Sequence, residues 1–222
     1  RSKIVNAFGG SDQLGNVFGV ITVNVDTVYN PNCNDPYQLD TVFGAGNVTY
    51  YNPYHVDDEG HPIALNGGGQ PITNPDGTGG YIINGPIVNI INGTVRKAVF
   101  GGGKGATAIT TANPQVNIGV VDNTEHSARL ARVGFNGNDG DVYGGGFEGK
   151  VLGGPVVNVR KDDHEGSNTI IYHDVFGGGD MANVDSTEVN VYDGTIISGV
   201  YGGCNVQGAV TKDIVVNIYG TN

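Results

Sequence analysis

Six times along the chain a small aliphatic residue and an aromatic ring run into glycine. Six times an asparagine between two β-branched residues follows. The first signature reads Ala7-Phe8-Gly9-Gly10, Val42-Phe43-Gly44-Ala45-Gly46, Val99-Phe100-Gly101-Gly102-Gly103, Val142-Tyr143-Gly144-Gly145-Gly146, Val175-Phe176-Gly177-Gly178-Gly179 and Val200-Tyr201-Gly202-Gly203-Cys204. The second reads Val23-Asn24-Val25, Val88-Asn89-Ile90, Val116-Asn117-Ile118, Val157-Asn158-Val159, Val189-Asn190-Val191 and Val216-Asn217-Ile218. The two alternate in fixed order. Repetition of this kind means that one small unit, unable to bury its apolar face alone, stacks on copies of itself as a solenoid or propeller does.

The unit is uninterrupted only once, from Val175 to Gly203, where Phe176 and Tyr201 lie 25 positions apart. The Val-Asn-Val runs alternate with period two, are β-branched and are bounded by turn formers, which is a strand pattern. If the Val and Ile point inward, the Asn between them points outward. The glycine runs, with Asn92-Gly93-Thr94 and Asp193-Gly194-Thr195, read as corners where glycine supplies backbone angles closed to other residues. Two or three short strands in about 25 residues predict an all-β chain, a right-handed parallel β-helix of about six coils. A propeller blade would need about 40 residues and antiparallel hairpins. A single helix is suggested over Asn123 to Val133, with Asp122 placed to cap it and Glu125 three residues on.

No linker or composition shift divides the chain, so residues 1–222 read as one domain. Spacing between successive aromatic positions is 35, 57, 43, 33 and 25 residues. The excess over the 25-residue unit locates inserts at 26–41, 47–80, 119–141 and 160–173. Inserts at equivalent points of stacked units emerge on one side, the default binding face. The chain also begins and ends inside repeat units, as an excerpt of a longer repeat protein would. Unpaired strand edges at both ends predict head-to-tail stacking of chains into a filament.

Composition narrows the partners. Twenty-two acidic against 11 basic residues give a net charge of −11. That argues against nucleic acid and anionic membrane surfaces, which attract basic patches. No apolar run approaches the roughly 20 residues that span a bilayer. The 39 glycines do not recur at every third position, which excludes collagen. Abundant Val and Ile argue against disorder, leaving tight turns. Cys33 and Cys204 fall at different points of different copies. A disulfide between them would need the loop holding Cys33 to fold back across several units.

Stacking converts repeated residues into columns. The aromatic column, Phe8 to Tyr201, reads as an internal stack at a corner, with an exposed platform for sugar rings as the alternative. The asparagine column, Asn24, Asn89, Asn117, Asn158, Asn190 and Asn217, can form an amide ladder along the axis or present a flat polar surface for glycan. Ionisable residues gather in the inserts. His55, Asp57 and His61 could ligate a metal, and Asp139 and Asp141 offer oxygens for Ca²⁺, although neither group completes a dedicated motif. No other cofactor is expected. For catalysis, Asp141 and Asp174 stand two residues before Tyr143 and Phe176, so stacking would bring them together as paired carboxylates. Polysaccharide lyase or glycoside hydrolase chemistry of the parallel β-helix type is the alternative to a binding role.

The V-F-G-G-G…V-N-V…D-G-T-I…V-Y-G-G unit resembles the Gly-rich repeats of large bacterial surface proteins, notably those of gut Bacteroidetes. It is more loosely similar to the Gly-Gly-aromatic repeats of polymorphic outer-membrane and autotransporter-type adhesins. The resemblance covers nearly all of the chain between inserts. It implies a secreted or cell-surface bacterial shaft that displays loops to a carbohydrate or host surface. It carries over no catalytic residue, because that repeat contains none.

Overall fold

The computed structural model describes residues 3–15, 17, 19–26, 38–51, 54–56, 62–64, 84–119, 130–135, 137, 139–160 and 168–219. Among them the chain is all-β. In chain order the strands are β1 (Lys3–Phe8), β2 (Thr22–Asp26), β3 (Gln38–Phe43), β4 (Tyr54–Val56), β5 (Pro62–Ala64), β6 (Asn84–Phe100), β7 (Asn113–Ile118) and β8 (Leu130–Val133). There follow β9 (Asp141–Tyr143), β10 (Val156–Val159), β11 (Asn168–Ile171), β12 (Val175–Phe176), β13 (Thr187–Val191), β14 (Thr195–Ile196), β15 (Val200–Tyr201) and β16 (Ile214–Ile218). Strands β4 and β5 form a small antiparallel pair. The other fourteen join one parallel sheet, with a hydrogen-bonded path β14-β11-β8-β6-β7-β10-β13-β16.

The expected right-handed parallel β-helix of about six coils is not what forms. The parallel pairing is present, but the eight-strand path curls into a half-barrel rather than a clear six-coil solenoid. Strand β6 shows why. It runs unbroken for 17 residues and holds both Val88-Asn89-Ile90 and Val99-Phe100. Its first half pairs with β2 and β7, its second with β3, β8 and β9, so it fuses the two sets of strands into one sheet. The predicted corner at Asn92-Gly93-Thr94 is a bend inside this strand, made by Gly93 at φ 102°. A third side carries only isolated parallel bridges, from Val17 through Tyr51, Thr110, Val151 and Val184 to Val210.

The repeat nonetheless holds its register. Val88, Val116, Val157, Val189 and Val216 pair in series, as do Val42, Val99, Val142, Val175 and Val200. Except for the exposed Val216, their side chains build the main apolar core, with Val200 at its margin, joined by Val95, Val133 and Ile171. The glycine after each of the first five aromatic rings donates its N–H to the next ring residue's carbonyl: Gly9 to Phe43, Gly44 to Phe100, Gly101 to Tyr143, Gly144 to Phe176 and Gly177 to Tyr201, at 2.8–3.0 Å. These glycines do not have left-handed backbone angles. They are required because a Cβ at Gly101 would collide with the Gly144 carbonyl above it.

Two inserts turn out to supply sheet strands. The helix expected over Asn123 to Val133 does not form where it is described: Leu130–Val133 is β8, paired with β6 and β11. The alternation of buried Ala131 and Val133 with half-buried Leu130 and Arg132 is a period-two pattern. The 160–173 insert likewise contributes β11. Among the described residues no helix is long and apolar enough to cross a membrane. Cys204 is a free thiol, and Cys33 lies outside the described residues.

Candidate functional site

Register is what creates the one group of three His, Cys, Asp or Glu side chains among the described residues whose ligand atoms come close enough to hold a metal ion. Val142 of β9 pairs with Val175 of β12, so the preceding residues, Asp141 and Asp174, lie side by side. His173 precedes Asp174 and joins them. Its Nδ1 is 2.6 Å from Asp141 Oδ1 and 3.4 Å from Asp174 Oδ2. The three ligand atoms all fall within 4.8 Å of one another.

Each carboxylate is held by its remaining lone pairs. The Asp174 backbone N–H donates to Asp141 Oδ1 at 3.1 Å, and the Tyr143 hydroxyl donates to Asp141 Oδ2 at 3.3 Å. The Gly199 N–H donates to Asp174 Oδ1 at 2.7 Å. The network continues through Asn205, whose amide donates to the Tyr143 hydroxyl at 3.1 Å and to Asp180 Oδ1 at 2.9 Å. The electrostatics follow. The hydrogen bond to Asp141 raises the His173 pKa above its ordinary value, with burial opposing. Burial pushes the Tyr143 hydroxyl up, reinforced by the charges of Asp141 and Asp180. Burial also raises Asp180.

Compared with known proteins, the chain matches no family model, no curated protein sequence and no solved structure. The function must therefore be argued from this geometry.

The asparagine column forms the amide ladder. Asn89 donates to Asn24 at 2.9 Å, Asn117 to Asn89 at 2.8 Å, Asn158 to Asn117 at 2.9 Å, Asn190 to Asn158 at 3.1 Å and Asn217 to Asn190 at 2.8 Å. Asn158 and Asn190 are buried, so their amides serve the sheet. The aromatic column is the internal stack: successive rings from Phe8 to Tyr201 lie 4.6–5.1 Å apart and within 13° of parallel. Phe43, Phe100, Tyr143 and Phe176 are buried, and Phe147 packs edge-on against Phe100.

His55 lies in β4, but its side chain, like Asp57 and His61, falls outside the described residues. Asp139 is exposed, whereas Asp141 turns to His173. Sequence reasoning paired Asp141 with Asp174 but missed His173. The available signal was His173-Asp174-Val175 aligned on Gly140-Asp141-Val142 in the next copy. A second cluster was also missed: buried Asp40, with Lys3, Lys97 and Arg96 at 3.7, 3.9 and 4.0 Å. It arises at the register shift between β3 and β6, which no motif marks.

Proposed function

We propose that the protein is a secreted or cell-surface structural and adhesive protein of bacteria. Its parallel sheet grows end to end by pairing with further copies, and its inserts present loops to a carbohydrate or host surface. One observation carries the reading: at both edges of the described sheet the ladders present apolar side chains that no described strand covers. Among the described strands β16 is hydrogen-bonded only to β13, and Ile214, Val216 and Ile218 are exposed, Ile218 by 64%. At the other end Ile4 and Val5 of β1 are exposed as well. An uncovered apolar strand edge is a template for further pairing. Asn217 of β16 and Asn24 of β2 occupy the same rung position of the ladder. A second copy continues its register without new side-chain chemistry, as a head-to-tail contact that does not close on itself.

The geometry favours this over polysaccharide cleavage. Asp141 and Asp174 both turn an oxygen onto the His173 imidazole, so the ring nitrogen takes the place beside the two carboxylates where glycoside hydrolysis needs water or sugar. Negative-stain imaging with light scattering tests assembly. Rods longer than one subunit are expected, shortened by Val216→Lys; a strict monomer at high concentration sinks the stacking half of the reading. A glycan array tests display, and binding unchanged by alanine replacement of the exposed insert residues sinks that half.

A further inference from the structure

The cluster of Asp141, His173 and Asp174 has no part in edge pairing or in display by the inserts. We propose that it is a binding site for a divalent transition-metal ion of the Zn²⁺ class, ligated by Asp141 Oδ1, His173 Nδ1 and Asp174 Oδ2. Neighbouring parallel strands are about 4.8 Å apart, and two carboxylates set side by side at that spacing repel unless a positive charge lies beside both, a place that a protonated His173 or a bound metal ion can fill. The outer hydrogen bonds aim both groups. Tyr143 holds Asp141 by Oδ2 and Gly199 holds Asp174 by Oδ1, so Asp141 Oδ1, which also accepts the Asp174 N–H, and Asp174 Oδ2 face the His173 nitrogen. Outer contacts of this kind fix the orientation of ligands in metal sites.

A small ion would have to draw the three ligand atoms, which lie within 4.8 Å of one another, into one coordination shell. With bonds of about 2.0–2.1 Å in a tetrahedral site, neighbouring ligand atoms sit roughly 3.3 Å apart. The His173 to Asp174 separation of 3.4 Å already meets that value, and the 2.6 Å separation from Asp141 must open by about 0.7 Å. His173 has room to move, since its side chain is 35% exposed; those of Asp141 and Asp174 are 23% and 13% exposed, leaving an approach from solvent. One imidazole with two carboxylates selects Zn²⁺ over Ca²⁺, which takes six to eight oxygens. A fourth position would be left to water.

The test is titration of the full chain, stripped by chelator, with Zn²⁺ followed calorimetrically and with Co²⁺ followed by visible absorption. The chain has five histidines, so the readout is the change in equivalents bound. His173→Gln is expected to lose one equivalent of Zn²⁺ and the matching Co²⁺ absorption. Asp139→Asn is expected to keep both, and Tyr143→Phe to bind that equivalent about 10-fold more weakly. Equal equivalents at equal affinity in wild type and His173→Gln overturn the proposal. Should His173→Gln fail to fold, wild-type protein labelled with ¹⁵N-histidine decides. Zn²⁺ moving the assigned His173 Nδ1 resonance supports the site, and no movement there overturns it.

Discussion

Strands β10 and β16 carry the same signature and live in different surroundings. Val157-Asn158-Val159 is hydrogen-bonded on both sides, to β7 and to β13, and all three residues are buried. Val216-Asn217-Ile218 is hydrogen-bonded on one side only, and both aliphatic residues are exposed. The aromatic column divides in the same way: Phe100 lies between two rings and is 4% exposed, while Tyr201 caps the stack on one face and is 49% exposed. A copy of the repeat therefore contributes little on its own. Its worth depends on whether a neighbour lies on each side.

Equivalent substitutions in the two regions measure that difference directly. The largest gap is expected in the ring column. Phe100→Ala removes a buried ring and its two stacking partners and should cost about 3–5 kcal/mol. Tyr201→Ala loses one stacking face and should cost about 1 kcal/mol. Urea denaturation reads both, and equal costs would break the comparison.

The aliphatic columns come next. Val116→Ala opens a hole in the sealed core, with an expected cost of about 2 kcal/mol from two lost carbons and the cavity they leave. Val216→Ala on the open edge should cost well under half of that. If a second copy covers β16, wild type gains stability with protein concentration while Val216→Ala gains less. Denaturation midpoints measured at two concentrations well apart separate an edge that is covered from one that is not.

The ladder gives a smaller gap. Asn158→Asp keeps the shape but removes the N–H that Asn117 Oδ1 accepts, and sets a buried carboxylate against a carbonyl. About 1–1.5 kcal/mol is expected near neutrality, falling on acidification as the new carboxyl regains a proton to donate. Asn24→Asp, at the exposed end of the ladder, should change stability by no more than a few tenths of a kcal/mol. A cost at Asn158 that ignores pH would mean the ladder's donors are not what the column is for.

These contrasts separate what the sequence could reveal from what it could not. The Val-Asn-Val and aromatic-glycine signatures were legible because strand periodicity and close backbone stacking each demand specific residue types at fixed spacing. The ladder and the ring stack follow from those signatures by register alone. The closure of the fold was not legible. It depends on β6 running through Asn92-Gly93-Thr94 as one strand, whereas Asp193-Gly194-Thr195 separates β13 from β14, although both glycines take left-handed angles. Nor did β8 and β11 announce themselves, because Leu130-Ala131-Arg132-Val133 and Asn168-Thr169-Ile170-Ile171 share nothing in register with Thr195-Ile196 beyond an aliphatic at the last position. Half of the site was visible as Asp141 and Asp174. His173 was not, since its role depends on a side chain reaching back across the strand pair.

The smallest expected effect separates the two regions by pH. In the middle of the sheet His173 stands beside Asp141; one copy later, at the edge, the equivalent positions are Ser198 and Gly199, which do not titrate. His173 holds its proton more tightly in the folded chain than in the unfolded one, chiefly because Asp141 accepts from Nδ1. The pair therefore supports the fold fully below the unfolded imidazole value of 6.5, and that support disappears as pH rises through the raised folded value. With metal removed by chelator, the difference in thermal midpoint between wild type and His173→Gln should be largest below about pH 6 and shrink steadily above it. The magnitude should be the least of the four, because a ring 35% exposed is screened by water. A difference that grows with rising pH would mean that the imidazole is neutral in the fold. The middle of the sheet would then be as indifferent to protons as its edge.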